Sequence, residues 1–171
     1  MSSFFSSKEF QRVFLWTLII LFVLSLPHAI ILYRAANVLM SDSNVDRIPF
    51  IIFLVLFLIT ALYIRLSNRI LSVKRFLPLL ILSVIIWTAV PLFEENSNKY
   101  IHIPEYMVLS ILVYVALSID YSGRGILLLA FVLSSISEVV DEMQQGLYPD
   151  RYYGWKDVVI SSSGVLLGVF W

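Results

Sequence analysis

The chain has 171 residues, 60% of them hydrophobic, and its mean hydropathy is +0.89. A soluble domain has about 45–50% apolar residues, so this composition excludes a disordered chain and an ordinary soluble enzyme and indicates one domain in a lipid bilayer. Because 12 Lys and Arg balance 12 Asp and Glu, no basic surface is available for nucleic acid. The lack of Cys excludes disulfides, thiolate metal sites and Cys nucleophiles.

Six apolar runs predict six helices, and most of these runs are long enough to cross about 30 Å of hydrocarbon. The runs lack the alternation typical of an outer-membrane barrel. We therefore predict an all-α fold, a polytopic integral membrane helical bundle of about six transmembrane helices. The predicted helices are residues 13–33, 48–64, 76–93, 103–119, 126–145 and 158–171.

The first run is predicted to be a retained membrane anchor. Lys8 and Arg12 precede it, as they would precede the core of a signal peptide, but the run is longer than such a core and lacks a small-x-small cleavage site.

The distribution of Lys and Arg predicts the orientation, because cytoplasmic loops carry an excess of these residues. Segment 65–75 has four positive charges and no acid, whereas the segments on the other side mix both signs. We therefore expect both chain ends on the cytoplasmic side. The start of helix four, the end of helix five and the start of helix six then meet at the outer surface.

Ionisable residues within apolar runs are functional candidates, because a charge at the bilayer centre costs about 2.5–3.5 kcal/mol. His102 and Glu105 open the fourth helix at a spacing that puts both side chains on one face. Further polar residues close the fifth helix, follow it in the loop and open the sixth helix. One polar cleft at the outer surface is therefore predicted, with candidates His102, Glu105, Glu138, Asp141, Glu142, Gln145, Arg151 and Asp157.

His102 has three chemical interpretations: a general acid or base oriented by Glu105, a metal ligand beside carboxylates, or an interfacial histidine. The order of His and Glu is the reverse of the Glu-x-x-His pattern of di-iron bundles, so no metal and no other cofactor is predicted.

The polar residues also have structural interpretations. Arg151 could pair with one of the acids and merely hold the helix ends together, and Asp157 could cap the last helix. Solvation among the lipid headgroups is expected for Glu94, Glu95, Lys99, Asp150 and Lys156.

The small residues of the last two helices favour close packing over nucleophilic catalysis. They are Ser134, Ser135, Ser137, Ser161, Ser162 and Ser163, with Gly164 and Gly168 at small-xxx-small spacing.

These residues together resemble the VanZ-like family of small bacterial membrane proteins. The family pattern is Lys-x-x-His-x-x-x-Tyr at the opening of one helix, followed by Asp-Glu-x-x-Gln, Pro-x-Arg, an Asp and an Asn ahead of a Gly-rich last helix. Ser161 stands here where the family usually has Asn, Gln144 where His is common and Asp150 where Gly is common. The matching residues are Lys99, His102, Glu105, Tyr106, Asp141, Glu142, Gln145, Pro149, Arg151, Asp157, Gly164 and Gly168.

The resemblance implies a VanZ-like membrane core at residues 76–171 and a two-helix addition at residues 1–75. It also implies a multi-pass protein of the bacterial cytoplasmic membrane that affects sensitivity to the glycopeptide teicoplanin. The expected partners are the lipid bilayer and a lipid-linked envelope precursor or phospholipid.

The leading hypothesis from the chemistry of these residues makes His102 and Glu142 an acid/base pair and lets Arg151 hold a phosphate or carboxylate. Binding or orienting roles are expected for Glu105, Tyr106, Glu138, Asp141, Gln145 and Asp157. Two alternatives stay open: a non-catalytic lipid-binding, antibiotic-binding or assembly protein whose polar cluster is structural, and a small transporter.

Overall fold

The computed structural model describes residues 7–39, 47–66, 71–147 and 154–171, and these residues form helices without any strand. The six described α-helices confirm the all-α class and the six predicted helices. Their bounds are Lys8–Leu39 (α1), Ile48–Leu66 (α2), Leu71–Phe93 (α3), His102–Leu117 (α4), Gly125–Gln145 (α5) and Trp155–Phe170 (α6). A short 3-10 helix, Ser97–Ile101, precedes α4.

Helix α1 is longer at both ends than its apolar run. The run was bounded where polar side chains begin, at Arg12 and Arg34, but such residues are good helix formers and do not end a helix. Hydropathy therefore predicted the apolar part of α1 and missed its polar extensions.

Helix α4 occupies the centre of the bundle and contacts α1, α2, α5 and α6. Ile19 and Leu26 of α1 belong to a buried apolar cluster with residues of α4, α5 and α6. Phe53 of α2 belongs to a second cluster, with residues of α3, α4 and α6. Helices from residues 1–75 thus pack directly on residues 76–171, and the division into an addition and a core stays a prediction.

The closest helix contact is between α4 and α6, and two glycines permit it. A Cβ atom at Gly164 would overlap the backbone of Ile103, and one at Gly168 would overlap the Met107 carbonyl and the Ser110 hydroxyl. Because no larger residue fits, the α6 backbone rests on α4, with Gly164 in the third turn of α6 against Ile103 in the first turn of α4.

The polarity of α5 is reversed relative to a helix on the surface of a soluble protein. Its exposed face contains apolar residues such as Leu128, Val132 and Ile136, whereas Glu138 and Glu142 are buried. A water-soluble helix turns its polar face outward, whereas hydrocarbon favours polar groups that face the bundle interior. The reversal indicates a nonaqueous surrounding for this face.

Two described segments, Lys8–His28 and Lys99–Leu117, are long and apolar enough to cross a membrane by length and composition. Shorter apolar helical segments lie at Ile48–Ile59 and Leu77–Phe93. The membrane character of the chain is thus supported in outline, while the number of spans and the location of the termini stay predictions.

An ion pair joins the N-terminal part of α1 to the loop after α4. The Arg12 guanidinium donates through Nε to Asp120 Oδ2 at 2.7 Å and through Nη2 to Asp120 Oδ1. Since Asp120 follows the C-terminal end of α4, helices α1 and α4 run antiparallel. His102 opens α4 at the other end, about 24 Å away for a helix of 16 residues.

Substitution of Gly164→Ala or Gly168→Ala should lower the free energy of unfolding by about 1–3 kcal/mol, because the added methyl forces the α4 and α6 backbones apart. Thermal unfolding of the protein in detergent measures this loss. The control is Gly125→Ala, where a Cβ meets no atom within 4 Å. Equal melting temperatures for all three variants would contradict the close contact.

Candidate functional site

The polar side chains of three helices meet at one end of the bundle. We call this group the polar cluster; it lies at the start of α4, along the last turns of α5 and at the start of α6, with the 3-10 helix beside it. Its described members are Lys99, His102, Glu105, Tyr106, Glu138, Asp141, Glu142, Gln145 and Asp157.

Asp141 is held by two hydrogen bonds to the same carboxylate oxygen. The Tyr106 hydroxyl donates to Asp141 Oδ2 at 2.9 Å, and the Gln145 side-chain amide donates to it at 2.8 Å. All three side chains are buried. Gln145 lies one helical turn after Asp141, while Tyr106 reaches it from α4. The second oxygen, Oδ1, has no hydrogen-bond partner among the described residues.

Glu138 and Glu142 face α6. The Ser162 hydroxyl donates to Glu138 Oε2 at 3.0 Å, and the Gly154 backbone amide donates to Glu142 Oε2 at 3.4 Å. Their exposed fractions are 0% and 1%. No ion pair between described residues includes either carboxylate or that of Asp141. Neutral hydrogen-bond donors, rather than cations, therefore hold these acids.

His102 and Glu105 form the pair that their spacing predicted. His102 Nδ1 lies 3.2 Å from Glu105 Oε2, and the two side chains are 13% and 15% exposed. His102 is also near enough to Glu138, Asp141 and Glu142 to interact electrostatically with all three. His102 on α4 is thus a titratable base that interacts electrostatically with the acids of α5.

Lys99 belongs to the cluster, which corrects its interpretation as a solvated residue. Its ammonium lies 2.7 Å from Asp157 Oδ1 and 3.5 Å from Glu94 Oε2. The 3-10 helix Ser97–Ile101 carries Lys99 back over the start of α6. Asp157 likewise is not the cap of α6, because Gly154 occupies the N-cap position.

Glu94 forms ion pairs with Lys99 and Lys156 and is not a freely solvated acid. The Asn96 backbone amide donates to Glu94 Oε1 at 3.1 Å. This bond and the nearby Lys99 and Lys156 ammonium groups hold the pKa of the Glu94 carboxyl below its usual value of 4.5, against the opposing effect of burial.

Arg151, predicted to bind an anion, lies outside the described residues, so that role stays a prediction. Tyr106 was proposed only through the family resemblance, since an aromatic residue in an apolar helix gives no signal of its own. Its hydroxyl donates to Asp141, a partner that sequence spacing alone could not identify.

The cluster, together with the adjoining Glu94, contains more acids than bases. Glu94, Glu105 and Asp157 have basic partners, whereas Glu138, Asp141 and Glu142 have none among the described ion pairs. Fixed carboxylates beside an imidazole can exchange protons with a substrate. In the described part of the chain, no three His, Asp or Glu side chains are grouped as a metal site.

No protein family, curated protein or solved structure matches this chain. The resemblance to the VanZ-like family therefore stays a prediction that rests on the motif residues.

Tyr106→Phe should lower the free energy of unfolding by about 1–3 kcal/mol, because it removes a buried donor from the Asp141 carboxylate. The measurement is thermal unfolding in detergent. Tyr114→Phe is the matched control, since Tyr114 lies on the same helix with an exposed side chain. If the two variants lose equal stability, the Tyr106–Asp141 bond does not support the cluster.

Proposed function

We propose that this chain is a polytopic bacterial membrane protein of the VanZ-like type, whose polar cluster acts as an acid–base site on lipid-linked envelope material. One observation carries the proposal. Three carboxylates without basic partners among the described ion pairs are buried beside His102 at one end of a bundle with an apolar surface. Because burial of such groups is costly, a structure that retains them together favours a chemical role.

The six-span arrangement is supported by the location of the exposed apolar side chains. Helices α1, α2 and α3 expose large residues such as Leu21, Leu58 and Ile81, although each helix also contacts the bundle. Exposed surfaces of this kind on several helices favour contact with lipid.

The orientation is supported by the opposite end of the bundle. Lys8, Arg12 and Arg124 lie at the end joined by the Arg12–Asp120 pair, and an excess of positive charge is typical of cytoplasmic segments. The polar cluster would then face the outer leaflet, at the depth of lipid headgroups.

The chemistry follows from which atoms are already held. Glu105 engages Nδ1 of His102, so Nε2 is the nitrogen that would exchange a proton with a substrate. The Gly154 amide engages one oxygen of Glu142, so the other oxygen would act as the second acid–base group. Arg151 would hold a phosphate or carboxylate of the substrate.

A non-catalytic role is the second candidate, and the hydrogen bonds between helices favour it. Tyr106 of α4 and Ser162 of α6 each donate to a carboxylate of α5, so the cluster also joins three helices. A lipid-binding, antibiotic-binding or assembly protein would need the cluster only for this purpose. A small transporter is less supported, because the sequence shows no internal repeat.

The orientation is testable because the chain has no Cys. A single cysteine at Glu95→Cys should react with a membrane-impermeant maleimide in intact cells, while one at Ser122→Cys should react only after permeabilisation. Both positions are exposed, at opposite ends of the bundle. The reverse labelling pattern would place the polar cluster in the cytoplasm.

The function is testable by the teicoplanin susceptibility of a sensitive host at matched membrane levels of folded protein. We expect the wild-type chain to protect the cells. Because a general acid or base contributes about 10²–10⁴ in rate, Glu142→Gln should reduce protection to that of cells without the protein. Glu95→Gln, an exposed acid near the same end, is the control and should protect fully.

The remaining outcomes separate the two candidates. If Glu142→Gln folds and protects as the wild type does, the acid–base role is refuted and the non-catalytic role is favoured. If the wild-type chain gives no protection, the VanZ-like function is refuted.

A further inference from the structure

Two serines of α5 have buried hydroxyls and lack the bond that five other described helical serines make. The hydroxyls of Ser83, Ser110, Ser137, Ser161 and Ser163 donate to a backbone carbonyl three or four residues earlier, which is the usual arrangement in helices. The Ser134 and Ser135 hydroxyls are buried and have no partner among the described residues. Their oxygens are thus available to a ligand.

Glu138 lies one helical turn above both serines. Residues three and four apart are neighbours on a helix surface, so Glu138 lies next to both serine positions on α5. Ser162 occupies Glu138 Oε2, whereas Oε1 is buried without a partner in the described part of the chain. Ser134 and Glu138 are each 0% exposed. Three buried oxygens without a partner among the described residues therefore lie on adjoining turns of α5, although Ser135 itself is only partly buried.

Apolar side chains bound this group on the side away from the polar cluster. Ala130 is one turn below Ser134 on the same face and is fully buried. It belongs to an apolar cluster with Ile126, Val113 and Val165. The line of polar groups that begins at Gln145 thus ends at Ser134, near the middle of α5.

The surrounding charges leave Glu138 without a counter-charge of its own. From α4, His102 pairs with Glu105; from the 3-10 helix, Lys99 pairs with Asp157 and Glu94. Asp141 and Glu142 on α5 add further negative charge. A carboxylate in such a place requires a cation or a proton.

We propose that Ser134, Ser135 and Glu138 bind a monovalent metal cation, Na⁺, inside the bundle. A donor set made only of oxygens suits a hard cation. One carboxylate balances a single positive charge, and a divalent or transition ion would need further anionic or imidazole ligands, which the described residues do not group there. The ion would enter through the polar cluster. This proposal goes beyond the acid–base function. Glu138 belongs to the polar cluster but neither serine does, so the serine variants test the cation site separately.

The test uses the purified full chain in detergent and compares melting temperatures in sodium, potassium and N-methylglucamine chloride. A ligand that binds only the folded state raises the melting temperature. We expect about 4 °C more in about 150 mM sodium than in N-methylglucamine, with a smaller rise in potassium. Ser134→Ala, Ser135→Ala and Glu138→Gln should each lose most of this sodium-dependent rise.

Ser137→Ala is the matched control and should retain the rise, because the Ser137 hydroxyl is already bonded to the Leu133 carbonyl. If Glu138→Gln does not fold, the two serine variants decide the question. The proposal is overturned if sodium gives the wild-type chain no rise, which would leave water or a proton at these oxygens. It is also overturned if potassium matches sodium, or if Ser134→Ala and Ser137→Ala behave alike.

Discussion

The burial of Glu138, Asp141 and Glu142 inside an apolar-surfaced bundle is the constraint on which the rest of the structure depends. Carboxylates removed from water must find donors within the protein. Tyr106 and Ser162, which supply two of these donors, lie on helices α4 and α6. These hydroxyls reach the acids because Gly164 and Gly168 let α6 rest directly on α4. Close backbone packing and the polar cluster are therefore two parts of one arrangement.

Features that depend on residues close in the chain could be predicted from the sequence. The apolar runs predicted six helices, since hydrophobic length alone specifies them, and the spacing of His102 and Glu105 predicted their contact. The glycine spacing of α6 predicted a close helix contact. In each case the geometry of a single helix decides which side chains share a face.

Features that depend on how helices rotate against one another could not be predicted. The sequence placed Asp141 in the predicted polar cleft, but not beside the hydroxyl of Tyr106, 35 residues earlier. The same reason explains Lys99. A lysine beside an asparagine and a tyrosine is typical of a headgroup-facing loop, and only the path of the 3-10 helix over the start of α6 pairs it with Asp157.

The excess of acids also decides what can enter the polar cluster. A phosphate-bearing headgroup brings negative charge toward Asp141 and Glu142, so its binding requires that some of the acid charge be neutralised. Lys99 already pairs with Asp157 and Glu94. A cation bound at Glu138, on the inner side of the polar cluster, would neutralise part of the remaining negative charge. If both proposals hold, cation and anionic substrate should each favour the binding of the other, because such coupling is reciprocal. This acid-rich site would then bind an anionic lipid only when the cation at Glu138 is also bound.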